Sequence, residues 1–191
     1  MSEMKAKMFN KKAARPANKA DKIVQALSIQ QGQTIADIGS GGGFFTVRFA
    51  QAVGTTGKVY AVDTNQDLLD FIHKQASEHG LNNILTVQTT ADQPNLPLHC
   101  FDIIFLRNVT HHLKERVGYF KKLKEALKPQ GKIVIIDYDG RGTALSFQRL
   151  HHHFVPQETL KHEMTQAGYH LKTSYDFLAD QSFNIFMINA E

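Results

Sequence analysis

The sequence predicts an α/β protein whose single domain is built on a doubly wound, Rossmann-like sheet of seven strands. Apolar strand segments alternate with helical periodicity five times, which is typical of a mostly parallel sheet with helices on both faces. A glycine-rich stretch, residues 39–43, joins the first strand to a helix. The last two strands are separated by a loop too short for a parallel crossover, so one C-terminal strand is expected to run antiparallel.

In the first half of the chain, strand and helix periods follow each other closely. In order, we predict a helix over 17–29, a strand over 34–38, a helix over 44–53, a strand over 58–62, a helix over 66–78 and a strand over 83–88. Ile23, Val24 and Leu27 share one face of the first helix, which follows Pro16. Gly54 is placed to end the second helix.

In the second half, a loop over 91–100 precedes a further series of elements. In order, we predict a strand over 102–106, a helix over 113–127, a strand over 132–137, a helix over 156–167 and strands over 171–177 and 183–189. Lys128-Pro129-Gln130-Gly131 predicts a turn before the fifth strand. Pro156 opens the last helix and Gly168 closes it.

Composition limits the class of protein. The chain has 191 residues, of which 42% are hydrophobic and 21% charged, enough to bury a core without metal or disulfide support. Cys100 is the only cysteine, which excludes a disulfide framework and a cysteine-rich zinc module. No segment reaches the roughly 20 apolar residues of a membrane helix, and no signal peptide is evident. The expected location is therefore the cytoplasm, without a membrane partner.

Positive charge is concentrated at the N-terminus. Residues 1–22 carry a net charge of +5, whereas the whole chain carries +4, so residues 23–191 sum to −1. We therefore predict a basic arm or lid over 1–22 and one domain over 23–191. Residues 138–155 are expected to form a second part of the lid. Since the body has no excess of positive charge, nucleic acid is not the expected partner.

The glycine-rich stretch predicts a ligand site at the end of the first strand. Residues 39–43 lack bulky side chains where the backbone must turn, and their amides can bind a carboxylate or phosphate at the start of a helix. The dinucleotide pattern would need a third glycine where Phe44 stands. Asp37, just before the bend, would repel a pyrophosphate but attract an ammonium or sulfonium group.

Two further acids follow the second and third strands. Asp63 lies 20 residues beyond Gly43, where a carboxylate can accept both hydroxyl groups of a ribose. Asp92, after Ala91, can accept the exocyclic amine of adenine. Acids at three successive strand ends favour a cationic nucleoside amino acid over a dinucleotide.

With these residues the sequence resembles the class I S-adenosylmethionine-dependent methyltransferases. The matching segments are Ile35-Ala36-Asp37-Ile38-Gly39-Ser40-Gly41-Gly42-Gly43, Val62-Asp63, Ala91-Asp92, Phe101-Asp102-Ile103-Ile104-Phe105 and Leu127-Lys128-Pro129-Gln130-Gly131-Lys132. The segment Asn108-Val109-Thr110-His111-His112-Leu113 is most similar to the small ubiquinone/menaquinone-type enzymes, which methylate small molecules. Gln130 departs from the family, which often has glycine there, and this affects only a turn.

The resemblance implies a set of residues that bind S-adenosyl-L-methionine. They are Asp37, Gly39, Ser40, Gly41, Gly43, Asp63, Thr64, Ala91, Asp92 and Arg107. The glycine backbone would hold the methionyl end, with Asp37 near its ammonium. Asp63 would bind ribose, Asp92 the adenine N6, and the backbone carbonyl around Arg107 would lie near the methionyl amine.

The acceptor chemistry is less specified by the sequence. A phenol, enol or ring carbon would need a base, and histidine exchanges protons near neutral pH. We take His111 and His153 as catalytic candidates, with Phe9, Phe44, Tyr138, Phe147 and Phe154 as candidates for an aromatic acceptor pocket. No carboxylate spacing supports a metal site at His151, His152 and His153, so no metal is predicted. An Asn/Asp-Pro-Pro-Tyr motif is absent after the fourth strand, which argues against methylation of nucleic-acid bases.

The expected function is methyl transfer to a small-molecule acceptor, and three alternatives stay open. The first is an RNA or protein methyltransferase that uses the basic arm to hold its polymer. The second is a module that binds the cofactor without catalysis. The third is a nicotinamide dehydrogenase.

Overall fold

Seven strands and six α-helices make up the regular structure of the described residues, 2–141 and 153–189, in a computed structural model. Contacts between residues divide the chain into two units, Met1–Thr90 and Ala91–Glu191. The domain boundaries expected from the sequence stay a prediction.

The first unit contains four helices and three strands. They are α1 (Ser2–Ala13), α2 (Ala20–Ala26), β1 (Thr34–Ile38), α3 (Phe44–Val53), β2 (Lys58–Asp63), α4 (Gln66–Glu78) and β3 (Ile84–Gln88). Strand β2 pairs in parallel with β1 on one side and with β3 on the other. Ala61 of β2 packs with Leu69 and Ile72 of α4. The apolar face that the periodicity of α4 predicts therefore covers the strand.

The second unit contains two helices and four strands. They are β4 (Phe101–Arg107), α5 (Arg116–Ala126), β5 (Leu127–Tyr138), α6 (Gln157–Gln166), β6 (Tyr169–Tyr175) and β7 (Gln181–Ile188). Strand β5 pairs in parallel with β4, whereas β7 runs antiparallel to both β5 and β6. The seven strands form a mixed sheet in which β7 is the reversed strand, so the predicted fold class is confirmed.

The first predicted helix, over 17–29, is wrong at both ends. Residues Pro16–Asn18 form a 3₁₀ turn, and Lys19 has a left-handed backbone (φ 46°) before α2 begins at Ala20. The helix ends at Ala26, and Ser28 also has positive φ. Side-chain periodicity continues through both positions, so it does not reveal the backbone breaks.

The prediction around the fifth strand is also wrong in part. Helix α5 begins at Arg116 and not at 113, because Thr110–His112 form a separate 3₁₀ turn. The predicted turn over 128–131 belongs to β5, since Leu127 pairs with Phe101 and the register then shifts. A Cβ on Gly131 would lie 2.7 Å from the Phe101 carbonyl oxygen, so glycine permits this close approach. The last two strands begin two residues earlier than predicted.

The basic arm contains the ordered helix α1. Its Ala6 is fully buried against Leu68 and Phe71 of α4. Glu3 and Lys7 form an ion pair of 2.6 Å on its exposed side. None of the helices in the described ranges has the length and apolar character needed to cross a membrane.

Candidate functional site

The glycine loop turns sharply at the end of β1. Gly39, Gly41 and Gly43 have φ values of 70°, 56° and 81°, a left-handed conformation that side chains disfavour. The amides of Gly39 and Ser40 donate to the Val62 carbonyl of β2 at 2.8 and 3.1 Å. Two hydrogen bonds to the neighbouring strand therefore fix where the bend starts.

Helix α1 lies against this loop. The Asn10 side-chain amide donates to the Gly42 carbonyl at 2.7 Å, and a Cβ on Gly41 would lie 3.4 Å from the Phe9 ring. A Cβ on Gly42 would overlap the Ala6 carbonyl and the Asn10 side chain. Gly42 is therefore required by the packing of α1, a role that the sequence does not reveal.

Asp63 ends β2 with both carboxylate oxygens oriented by backbone amides. Its Oδ2 accepts from the Gly41 amide at 2.9 Å, and its Oδ1 accepts from the Asn65 amide at 3.0 Å. The residue is half-buried, and its neighbour Thr64 is exposed. Each carboxylate oxygen has a second lone pair, so the group is held in place and can still accept two more hydrogen bonds.

Asp37 is buried and bonded within the first unit. Its residue is 4% exposed, and its Oδ2 accepts from the Thr46 hydroxyl at 2.5 Å. Burial raises the pKa of Asp37 to about 7, the hydrogen bond from Thr46 opposes this shift, and the nearby charge of Asp63 adds to it. The hydrogen bond between Asp37 and Thr46 joins β1 to the first turn of α3.

Polar groups beside the bend fit a ligand with a negative end. The Ser40 hydroxyl is buried and has no hydrogen-bond partner among residues 2–141 and 153–189. Helix α3 begins after Gly43, and within those same ranges no side chain caps that end. An uncapped helix start and a buried hydroxyl are groups that a bound carboxylate satisfies. The residues present therefore fit the methionyl end of S-adenosyl-L-methionine.

In the second unit, Ala91 and Asp92 line a cavity of about 200 Å³. Its other lining residues are Leu113, Lys114, Glu115, Gly118, Tyr119 and Lys122. The Lys122 ammonium donates to the Asp92 backbone carbonyl at 2.9 Å, and Asp92 itself is exposed. An acid beside an apolar wall is an arrangement that can bind an adenine ring and its amine.

Arg107 and Asn108, at the end of β4, bond to one glutamine. The Arg107 guanidinium donates to the Gln181 side-chain oxygen at 3.2 Å, and the Gln181 amide donates to Asn108 Oδ1. Burial lowers the pKa of Arg107. Asn108 has a left-handed backbone (φ 58°), and its backbone amide donates to the Ile136 carbonyl at 2.9 Å. The chain therefore leaves β4 in a fixed direction.

His111 is bonded to Asp137, a buried acid at the end of β5. The Nδ1 atom of His111 lies 2.7 Å from Asp137 Oδ1, and the His111 backbone amide donates to Oδ2 at 3.2 Å. The Thr110 hydroxyl donates to the same Oδ2, and the Tyr138 amide donates to Oδ1 at 2.8 Å. The His111 and Asp137 side chains are 5% and 1% exposed. This pairing favours the tautomer with the proton on Nδ1 and a lone pair on Nε2.

His153 and His112 pack against His111. The His111 ring centroid lies 5.3 Å from that of His153 and 4.0 Å from that of His112. Burial lowers the pKa of His112, with smaller contributions from His111 and His153. The two predicted catalytic histidines are thus neighbours. His151, His152 and Phe147 lie outside the described residues.

The sequence missed several side chains that shape these groups. Asp137 could have been found, because it follows an apolar strand in the same way as Asp37 and Asp63. Asn10 and Thr46 carry no such signal, since one lies on a lysine-rich helix and the other in an apolar one. Of the aromatic candidates, Phe9 lies against Gly41 of the glycine loop, and its place in an acceptor pocket stays a prediction.

Comparison with known proteins decides the family. A model of a methyltransferase domain family matches residues 29–185. The chain belongs to this family. It is 27% identical over 116 residues to the ubiquinone/menaquinone biosynthesis C-methyltransferase UbiE of Escherichia fergusonii, covering 60% of this chain and 46% of that protein. The recognition made from sequence and S-adenosyl-L-methionine as the cofactor are thereby confirmed.

Solved structures confirm the fold of this methyltransferase domain. A SAM-dependent methyltransferase from Aquifex aeolicus has a TM-score of 0.84 at 22% identity, covering 95% of this chain and 98% of that one. The CcbJ methyltransferase from Streptomyces caelestis has a TM-score of 0.74 at 14% identity, with 86% and 87% covered. At such identities the similarity shows the fold alone. The chain spans about half the length of the curated relatives it matches.

Proposed function

We propose that the protein transfers a methyl group from S-adenosyl-L-methionine, in line, to a small-molecule acceptor. The observation that carries the cofactor part of this proposal is the Asp63 carboxylate, which the Gly41 and Asn65 amides orient at the end of β2. A preoriented acceptor loses little entropy on binding. The remaining lone pairs of Asp63 suit the two hydroxyls of a ribose.

The other binding roles follow from the same arrangement. The bend at Gly39, Gly41 and Gly43, with the Ser40 hydroxyl, would bind the methionyl carboxylate. Asp37, anchored by Thr46, would act through the electrostatic field near the ammonium. Asp92, Ala91 and their cavity would take the adenine. The backbone carbonyl around Arg107 would lie near the methionyl amine, and Thr64 belongs to the same predicted set.

S-adenosyl-L-methionine supplies an electrophilic methyl group on a sulfonium sulfur. The protein's task is to align the reacting atoms and to remove a proton from the acceptor where there is one. We assign proton removal to His111 Nε2, because Asp137 holds the Nδ1 proton. Asp137 would also stabilise the imidazolium that forms. His153 packs beside the His111 ring and would help to hold it in place.

A small acceptor is supported by the relatives and by charge. The curated relatives are named as ubiquinone/menaquinone biosynthesis C-methyltransferases. The basic residues of α1 belong to a helix that packs on α4 and on the glycine loop. A helix held in this way is a wall of the first unit, and it is less suited than a free arm to hold RNA or protein.

The test is a transfer assay with labelled cofactor and cell extract, fractionated by size. We expect the label in the small-molecule fraction with the wild type and a much smaller amount with His111→Asn. Label in RNA or protein would refute the small acceptor. Cofactor binding without any labelled product would support the module without catalysis.

A further inference from the structure

We propose that His111, His112 and His153 form a binding site for a divalent transition-metal ion such as Zn²⁺. One ligand nitrogen from each of these residues lies within 4.8 Å of the other two. Two of the three imidazoles come from the 3₁₀ turn Thr110–His112, and the third precedes α6. The sequence predicts no metal site, and the proposed methyl transfer does not require three histidines together.

The spacing is close to what a metal ion requires. A tetrahedral zinc ion with nitrogen ligands at 2.0–2.1 Å places those nitrogens about 3.3 Å apart. The His153 ring lies 5.3 Å from that of His111 and 5.4 Å from that of His112, measured between centroids. Binding of an ion would require the nitrogens, which lie within 4.8 Å of one another, to move closer together by up to about 1.5 Å. His112 is exposed, which leaves a path for the ion.

Asp137 provides a second and independent feature of a metal site. Histidine ligands usually donate their other ring N–H to a carboxylate, which fixes the tautomer and makes the nitrogen ligand more basic. The 2.7 Å contact between His111 Nδ1 and Asp137 Oδ1 has this form. Asp137 is itself held by the Thr110 hydroxyl and the Tyr138 amide. It is therefore an orienting group and not a competing ligand.

The ligand set selects the class of ion. Three imidazoles suit zinc, nickel and copper, whereas Mg²⁺ and Ca²⁺ prefer oxygen ligands. Three protein ligands leave a fourth position for water or for an oxygen atom of a small molecule. A metal ion on His111 Nε2 would use the lone pair assigned above to proton removal. The two roles of His111 thus exclude each other at any one time, and the metal site is tested without cofactor or acceptor.

The experiment is calorimetric titration of the untagged full chain with Zn²⁺, together with Co²⁺ absorption in the visible range. We expect one ion per chain and a cobalt spectrum of tetrahedral type. His112→Asn and His153→Asn should each weaken zinc binding by about tenfold or more, and Asp137→Asn by about 10- to 100-fold. His99→Asn is the matched control, because His99 is an exposed histidine of the same unit outside the cluster.

The His153→Asn variant also separates a built site from a run of histidines, since it retains His151 and His152. Thermal unfolding without metal shows whether each variant is folded. Equal zinc affinity in the wild type and in folded His112→Asn and His153→Asn variants would overturn the proposal. So would a wild type that takes up no zinc at micromolar concentrations.

Discussion

At the residue scale, the acids at the ends of β1 and β2 differ in their surroundings. Asp63 is bonded by backbone amides and is half-buried, whereas Asp37 is buried and bonded by a hydroxyl. Burial favours the neutral form of Asp37, whereas two backbone amides fix the orientation of the Asp63 carboxylate. Two acids at neighbouring strand ends are therefore suited to different tasks, one to bind hydroxyl groups and the other to respond to charge.

Replacement of Asp63 by alanine tests the ribose role. We expect Asp63→Ala to weaken binding of S-adenosylhomocysteine by about 1.5–3 kcal/mol, the scale of hydrogen bonds to a charged group. Calorimetry measures the change. Asp70→Ala is the control, because Asp70 is exposed on α4 and bonds only Gln66 among the described residues. Equal affinity in the wild type and Asp63→Ala would remove Asp63 from the site.

Asp37 predicts a pH dependence of stability. A buried acid whose pKa rises from 3.8 to about 7 holds its proton more tightly in the folded state. The wild type should therefore lose free energy of unfolding as the pH rises between these values. Asp37→Asn should lose less over the same range, by at most about 4 kcal/mol. Denaturant unfolding at pH 4 to 8 measures this, and parallel curves would contradict it.

His111 predicts a separation of catalysis from binding. We expect His111→Asn to lower the rate of methyl transfer by about 10²–10⁴-fold, the usual contribution of a general base. Its affinity for S-adenosylhomocysteine should stay unchanged, because His111 is not among the residues proposed to bind the cofactor. His99→Asn should leave both unchanged. A fully active His111→Asn would mean that His111 is not the base.

Site residues could be predicted from the sequence where a glycine or an acid stands at the end of a predicted strand. The glycines at 39, 41 and 43 and the acid at 63 were found in this way, and the structure gives them a bend with positive φ and amide hydrogen bonds. Asn10 and Asp137 act through residues that are distant in the sequence. No local pattern marks such pairs, so only the folded chain shows them.

At the scale of elements, helix α1 and the glycine loop depend on each other. Gly42 leaves room for the Ala6 carbonyl and for Asn10, so the loop's lack of side chains serves the packing of α1 as well as the proposed ligand. The sequence predicts a basic arm or lid over 1–22, and its charge gives no sign of this packing. The contact of α1 with α4 is made through Ala6, and one alanine in a lysine-rich segment does not mark a buried face in the sequence.

Gly42→Ala tests this dependence. The added methyl group would overlap backbone and side chain of α1, so we expect a loss of about 1–3 kcal/mol in the free energy of unfolding. Gly118→Ala is the matched control in helix α5, where a Cβ has nothing within 4 Å. It should stabilise the protein by about 0.5–1 kcal/mol, because alanine favours helices. Similar stability of the two variants would contradict the contact with α1.

The ends of helices and strands were predictable where a glycine or a polar capping residue marks them in the sequence. The bounds of β1, α3 and α4 match the expectation, because glycines or polar caps stand at their ends. The start of α5 was missed because the bonds of Thr110 and His111 to Asp137 hold a separate turn. The predicted turn at 128–131 became strand because Gly131 allows β5 to continue past a register shift.

At the scale of the whole molecule, the alternation of elements was sufficient to predict the fold. Seven strands in a mixed sheet with β7 reversed follow from the repeated alternation of strands and helices and from one short terminal loop. The acceptor was not predictable, because fold and family fix the cofactor chemistry and leave the acceptor to the side chains of a particular site.

The most direct test of the central claim is calorimetric titration of the full chain with S-adenosylhomocysteine and, separately, with NAD⁺. Acids at the strand ends and the Ser40 hydroxyl, which has no hydrogen-bond partner among the described residues, predict one S-adenosylhomocysteine bound per chain and no binding of NAD⁺ at the same concentrations. Binding of NAD⁺ together with no heat from S-adenosylhomocysteine would contradict the account.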